Sequence, residues 1–317
     1  MRSRSAAPAP ASVVDASVEV GAITLPAPIM TASGTGGHAT ELSVGMDLSA
    51  LGAVVVKSLS AEPWAGNPAP RLLPTVGGMI NSVGLQGPGI AAWRRDALPE
   101  LEASGARVVV SIWGRTVAEY AAAAEALADA PASIVAVEVN VSCPNLEDRS
   151  RVFAHDPATT AAVIEATAPV GRPRWAKLSP NVTDLVPIAA AAREAGADAV
   201  TLINTMMGMV IDVETRRPAL GGGGGGLSGP AIHPIAVRAV YDCFQAIPDL
   251  PIVGVGGVAT ALDAVELLLA GAAAVQVGTA SFADPSVPRR IQDGVIEWCA
   301  AHDVARVQDL TGGSHGH

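Results

Sequence analysis

A few residues in this 317-residue chain have types and neighbours that suit chemistry. Cys143 sits in Asn140-Val-Ser-Cys-Pro-Asn145, where a β-branched run gives way to a polar loop from Leu146 to His155. An isolated cysteine is most often a small buried hydrophobe, but one that follows a strand and leads a polar loop suits an accessible thiol. Cys243 and Cys299 fall within helical sequence and read as core, as do His233 and His302. The histidines at the end, His315 and His317, read as a loose tail.

Lys57 and Lys177 interrupt apolar runs, Val-Val-Val-Lys and Trp-Ala-Lys-Leu. A lysine placed so either snorkels to a strand end or needs an anionic partner, because burying an unpaired ammonium is costly. Two glycine sites, Gly256-Gly257 and Gly278-Thr279, each follow a β-branched run and precede a helical one. Glycine lets backbone N–H groups approach an anion, and a following helix N-terminus adds positive potential. The other reading of either pair is a tight turn. Metal-ligand spacings and nucleophile-elbow motifs are absent, so no metal site is expected.

These residues share a position in a repeating pattern. Eight short apolar runs stand out: 28–32, 53–57, 107–112, 134–139, 174–178, 198–203, 251–255 and 274–277. Runs apolar throughout their length are buried on both faces, as in a parallel sheet. Between several of them lie capped helical stretches: Thr116 with Glu119, Asp184 before Ile188 and Ala192, and Thr260 before Leu262, Val265 and Leu268. Eightfold alternation predicts a (β/α)8 TIM barrel over 16–310, with a flexible arm at 1–15 and a tail at 311–317. An open doubly wound sheet has the same periodicity. Two inserted loops exceed a minimal barrel: 58–106, and 206–230 with its glycine run 221–226. Both follow strand C-termini, the face where barrels keep their active sites. The glycine run itself reads as a flexible loop.

Composition narrows the function classes. Half the residues are apolar and 16% charged, enough for a large core. A net charge of -10 disfavours nucleic acid. Three scattered cysteines cannot build a disulfide framework or an iron–sulfur cluster, which suits a reducing cytoplasm. Arg2 to Ser12 reads as a loose arm rather than a signal peptide, and no run of 18 apolar residues could span a membrane.

Several longer blocks then carry a resemblance: Asn67-Pro-Ala-Pro-Arg71, Asn81-Ser-Val-Gly-Leu-Gln86, Asn140 to Asn145, Lys177-Leu-Ser-Pro-Asn-Val-Thr-Asp184, Leu202-Ile-Asn-Thr205 and Gly226-Leu-Ser-Gly-Pro-Ala-Ile232. Over about residues 18–285 the chain resembles class 1 dihydroorotate dehydrogenases, and Gly84-Leu-Gln86 resembles the NAD-linked class 1B branch. The resemblance implies non-covalent FMN at the barrel mouth and oxidation of (S)-dihydroorotate to orotate in pyrimidine biosynthesis. Cys143 would take the C5 proton as C6 gives a hydride to the flavin; a free thiol, near 8.5, suits that task. Lys57 would touch substrate and flavin. Substrate contacts carry over to Asn81, Ser82, Val83, Gly84, Leu85, Asn140, Asn145, Asn204 and Thr205. FMN contacts carry over to Ala32, Ser33, Gly34, Ser58, Ser111, Asn140, Lys177, Ile203, Gly229, Gly256, Gly257, Gly278 and Thr279. Lys177 would stabilise negative charge on the reduced ring.

The resemblance further implies a homodimeric core and a partner subunit with FAD and a [2Fe–2S] cluster. This chain has neither a cysteine quartet nor a G-x-G-x-x-G after a strand, in keeping with that division. Ser111 departs from the asparagine of many relatives, and the loop 147–155 lacks their glycine pair. Two other readings stand beside this one: a dihydropyrimidine dehydrogenase-like flavin barrel acting on uracil or thymine, and a non-catalytic barrel subunit.

Overall fold

A computed structural model describes residues 14–145 and 151–316 of the chain. The eight apolar runs become eight parallel strands: β1 (Ile29–Thr31), β2 (Val54–Leu59), β3 (Val108–Ile112), β4 (Ile134–Asn140), β5 (Arg174–Lys177), β6 (Ala199–Leu202), β7 (Ile252–Val255) and β8 (Ala274–Val277). From β2 to β8 each strand pairs with the next, and β8 pairs with β1. The seam between β1 and β2 is closed by a parallel bridge from Met30 to Ala53 and by Gly52 N–H donating to the Ile29 carbonyl at 2.8 Å. Thr31 completes it. Its Oγ1 accepts from Val55 N–H at 2.8 Å and donates to the Val55 carbonyl at 3.2 Å. The sheet is therefore a (β/α)8 barrel rather than an open sheet, and its strands are buried on both faces as their composition requires.

Seven of the strands are followed by α-helix. After β1 two 3₁₀ turns, Glu41–Val44 and Leu48–Ala50, stand where the first barrel helix belongs. Two of the expected caps form: Thr116 accepts from Glu119 N–H, and Thr260 makes a reciprocal box with Asp263. Asp184 falls one residue short; the cap position is Leu185, and Asp184 accepts from Val186 N–H at 3.0 Å. A hairpin, Val18–Val20 with Ile23–Leu25, buries Val18, Val20 and Leu25. Its turn lies against Asp198 and Pro251, just before β6 and β7, so it plugs the N-terminal end of the barrel.

The two long insertions are not independent loops. Leu72–Thr75, Gly78–Asn81, Gly225–Ser228 and Met206–Gly208 form one antiparallel sheet over the C-terminal mouth. This corrects the reading of the glycine run as merely flexible. Gly225 and Gly226 are strand residues, and a Cβ on Gly226 would overlap Thr205 Oγ1. Glycine is there because two chain segments approach too closely for any side chain.

Of the expected arm, Val14 and Asp15 are described, and Asp15 pairs with Arg306. The expectation for His315 is corrected. Its ring stacks on Tyr241 with centroids 4.0 Å apart, and Nε2 meets the Ala270 carbonyl at 2.9 Å. Among the described residues no helix is long and apolar enough to cross a membrane, and no acidic, histidine or cysteine cluster could hold a metal.

Candidate active site

A cavity of about 320 Å³ opens at the barrel mouth beneath the cap sheet. Its wall includes Lys57, Asn81, Asn140, Cys143, Lys177, Asn204 and the glycines at 229, 256, 257 and 278. Strand ends bring them together, as the alternation predicts. Ser82 and Ser111 are not part of that wall, and the side chain of Asn145, like residues 146–150, lies outside the described residues.

At β2 the pairing register with β3 shifts between Val56 and Leu59. Such irregularities re-aim side chains, and here they set Lys57 and Ser58 facing the mouth. Burial, then the nearby Arg71 charge, lowers the Lys57 ammonium from its ordinary value. Behind Ser58 runs a polar chain. Ser58 Oγ and Ser111 Oγ are 2.9 Å apart, Asn140 Nδ2 donates to Ser58 at 3.2 Å, and Asn204 Nδ2 donates to Asn140 Oδ1 at 3.1 Å. Ser111, fully buried, thus acts one step behind the cavity by orienting Ser58. Asn181, not singled out from sequence, fixes the Thr205 loop by donating to the Thr205 carbonyl at 3.0 Å and accepting from Met207 N–H at 2.7 Å.

Lys177 reaches the cavity floor from β5. Its ammonium lies 3.4 Å from Glu138 Oε1 on β4 and 3.1 Å from Ser33 Oγ. Gln276 on β8 donates to Glu138 Oε2 at 2.7 Å. The lysine is thus paired within the fold itself. Glu138, absent from the candidates above, carries the same sequence signal as the lysines, a charge inside an apolar strand.

Cys143 is buried, 1% exposed, which corrects the expectation of an accessible thiol. Burial raises its pKa from 9.0 to about 12, with a hydrogen bond from Tyr120 opposing that shift. The free-thiol value therefore does not describe this site. Tyr120, on the helix Val117–Glu125, donates to the Asn140 carbonyl at 2.6 Å. The other two thiols, Cys243 and Cys299, are buried in helices as expected.

The far end of the cavity is glycine. Gly229, Gly256 and Gly257 hold φ values of +97°, +138° and +71°, open to few other residues. A Cβ on Gly257 would stand 2.7 Å from His233 Cβ, and one on Gly229 2.7 Å from Gly78 Cα. Thr279 Oγ1 donates to Ser228 Oγ at 2.8 Å. His233 Nδ1 meets the Gly256 carbonyl at 2.9 Å and Nε2 meets Glu266 at 3.1 Å, so this histidine braces the glycine loop. A glycine-lined end with two lysines along the wall can take an anion and, beside it, a polar ring.

Comparison with known proteins agrees. The dihydroorotate dehydrogenase family model matches residues 15–298. The dihydroorotate dehydrogenase B (NAD(+)) catalytic subunit of Desulforudis audaxviator is 48% identical over 303 residues, covering 95% of this chain and 98% of that protein. Proteins of the same name from Trichlorobacter lovleyi and Geotalea daltonii are 46% and 47% identical, covering 95% and 94% of this chain and 98% and 97% of theirs. The solved dihydroorotate dehydrogenase of Eimeria tenella, in complex with ferulenol, has a TM-score of 0.77 and covers 96% of this chain and 89% of its own. At 22% identity that likeness speaks for the fold alone. Matched across nearly its whole length by these relatives, the chain belongs to the dihydroorotate dehydrogenase family, on its NAD-linked class 1B branch.

Proposed function

We propose that the chain oxidises (S)-dihydroorotate to orotate with non-covalent FMN, in pyrimidine biosynthesis, and passes the electrons to NAD through a second subunit. One observation carries this reading: a single cavity has a glycine-lined end and, along its wall, Cys143 beside Asn81, Asn140 and Asn204. The residues present fit FMN. Gly229, Gly256, Gly257, Gly278 and Thr279 would hold its phosphate, because backbone N–H groups reach an anion only where no Cβ intervenes. Lys177, Lys57, Ser33 and Ser58 would meet its polar ring. When bound, FMN supplies the two-electron acceptor.

The protein's own part is positioning and proton transfer. Asn81, Asn140, Asn204 and Thr205 offer amide and hydroxyl groups to the polar edge of a dihydropyrimidine, and Lys57 offers positive charge to its carboxylate. Cys143, as thiolate, takes the C5 proton and becomes the thiol. The cap sheet sets Leu72 and Met79 on the cavity wall, apolar cover for that transfer. The phrase "catalytic subunit" in the relatives' names supports a partner carrying the onward electron path, to which we assign FAD and a [2Fe–2S] cluster. Self-association into a homodimer belongs to the same reading.

The test is anaerobic mixing of the FMN-loaded chain with dihydroorotate, followed at the flavin absorbance. Bleaching supports the assignment. Bleaching by dihydrouracil alone would make this a dihydropyrimidine dehydrogenase-like enzyme, and a chain that takes up no FMN would be a non-catalytic barrel.

A further inference from the structure

Two hydrogen-bond donors converge on one backbone atom behind the catalytic wall. Tyr120 Oη donates to the Asn140 carbonyl at 2.6 Å, and Cys143 Sγ donates to the same oxygen at 3.4 Å. Tyr120 is fully buried, so its hydroxyl has no water to turn to. Its ring is held edge-on against Phe153, centroids 5.4 Å apart at 88°. Phe153 is tied in turn to the cysteine loop, its N–H donating to the Cys143 carbonyl at 3.2 Å. Only the hydroxyl torsion is left to move.

We propose that the Tyr120 hydroxyl is a switchable donor that positions Cys143 and holds its thiolate. The inference rests on the reading of Cys143 as the base. While Cys143 is a thiol, both protons point at the Asn140 carbonyl. Between turnovers Cys143 releases its proton to solvent, the exchange that the pH profile follows; the thiolate no longer donates, and its sulfur becomes the stronger acceptor, because hydrogen bonds to ionised groups exceed neutral ones. The Tyr120 proton then turns from the Asn140 carbonyl to Sγ. Taking the substrate proton restores the thiol and sends the Tyr120 bond back to Asn140. No proton leaves Tyr120 in this cycle; burial holds its phenol well above the ordinary value, so it stays a donor throughout. Tyr120 is accordingly a positioning residue, acting through Cys143.

The test uses the FMN-loaded chain and the pH profile of flavin reduction by dihydroorotate. Tyr120→Phe is expected to keep FMN and the KM for dihydroorotate. Its acid limb should move up by about one pH unit, a tenfold slower reduction at a given pH on that limb. In a Cys143→Ala background the same change should add nothing, since the two residues act as one unit. As a variant that preserves shape, 3-fluorotyrosine can be introduced at position 120 in a Tyr241→Phe chain, the sequence having two tyrosines. A stronger donor should move the limb to lower pH. An unmoved limb with either replacement, or an equal loss in the Cys143→Ala background, overturns the proposal. Near-normal reduction by Cys143→Ala alone would instead remove the base assignment on which it rests.

Discussion

Lys177 and Glu138 form an ion pair in the barrel interior, 3.4 Å apart with side chains 5% and 0% exposed. A buried pair is held chiefly by the cost of breaking it, since either partner alone is an uncompensated charge. Lys177→Met in the FMN-free chain should therefore cost about 3–5 kcal/mol. Removing both charges, as Lys177→Met with Glu138→Leu, should bring stability back to within about 1 kcal/mol of the parent or above it. Urea unfolding of the three chains measures this. A single variant as stable as the parent would show that the pair does not carry charge in the fold.

Cys143→Ala should bind FMN as the parent does, because the thiol follows β4 whereas the glycines at 256, 257 and 278 follow β7 and β8. Its reduction by dihydroorotate should fall by about 10²–10⁴, the range of a general base. Cys143→Ser should keep part of the rate and gain with rising pH, a hydroxyl being the poorer base. Stopped-flow absorbance reads both, and a flat pH profile for Cys143→Ser would count against proton transfer at this position.

The burial of Cys143 also sets a pH dependence. Its pKa is raised to about 12, so the thiolate fraction grows tenfold per pH unit below that value. Flavin reduction by the parent should then climb steadily between about pH 6 and 9, with no plateau. Stability runs the other way. A thiol whose folded value lies above the unfolded one, about 8.5, stabilises the fold below the unfolded value and loses that contribution as pH rises toward 12. Thermal melts of the parent should fall more steeply on the alkaline side than those of Cys143→Ala. A rate plateau near neutrality would mean that the bound substrate itself restores the thiolate.

How far the sequence could be read follows from what each feature depends on. The strands were legible because a parallel strand buried on both faces is apolar at every position, and Lys57, Lys177 and Cys143 stood out against that background. Tyr120 was hidden for the complementary reason: one aromatic in an Ala-rich helix reads as core. The cap sheet rests on pairing between segments far apart in the chain; Asn81 Nδ2 donates to the Gly226 carbonyl across 145 residues, and no local periodicity records such a register. Nor does the composition after β1 distinguish a short helix from the two 3₁₀ turns that stand there. The glycine run misled because repetition suggests looseness, whereas Gly221, Gly222, Gly225 and Gly226 are hemmed in by neighbours on the cap and at Thr205, and Gly223 alone has open space around it.

That last distinction can be measured by inserting a methyl group. On Gly226 a Cβ would overlap Thr205 Oγ1, and Thr205 is held from behind by Asn181, so neither side can yield freely. Gly226→Ala should cost about 1–3 kcal/mol, as overpacking does. It should also raise the KM for dihydroorotate, because Thr205 lines the cavity. Two residues earlier, a Cβ on Gly224 would stand 3.3 Å from the Gly208 carbonyl and 3.9 Å from Met209 Cε, both on the mouth's outer edge. Gly224→Ala should cost about 1 kcal/mol or less and leave the KM in place. Equal, small effects at the two positions would return the run to a flexible loop. A large effect confined to Gly226 would establish that close packing against Thr205 is why the residue is glycine.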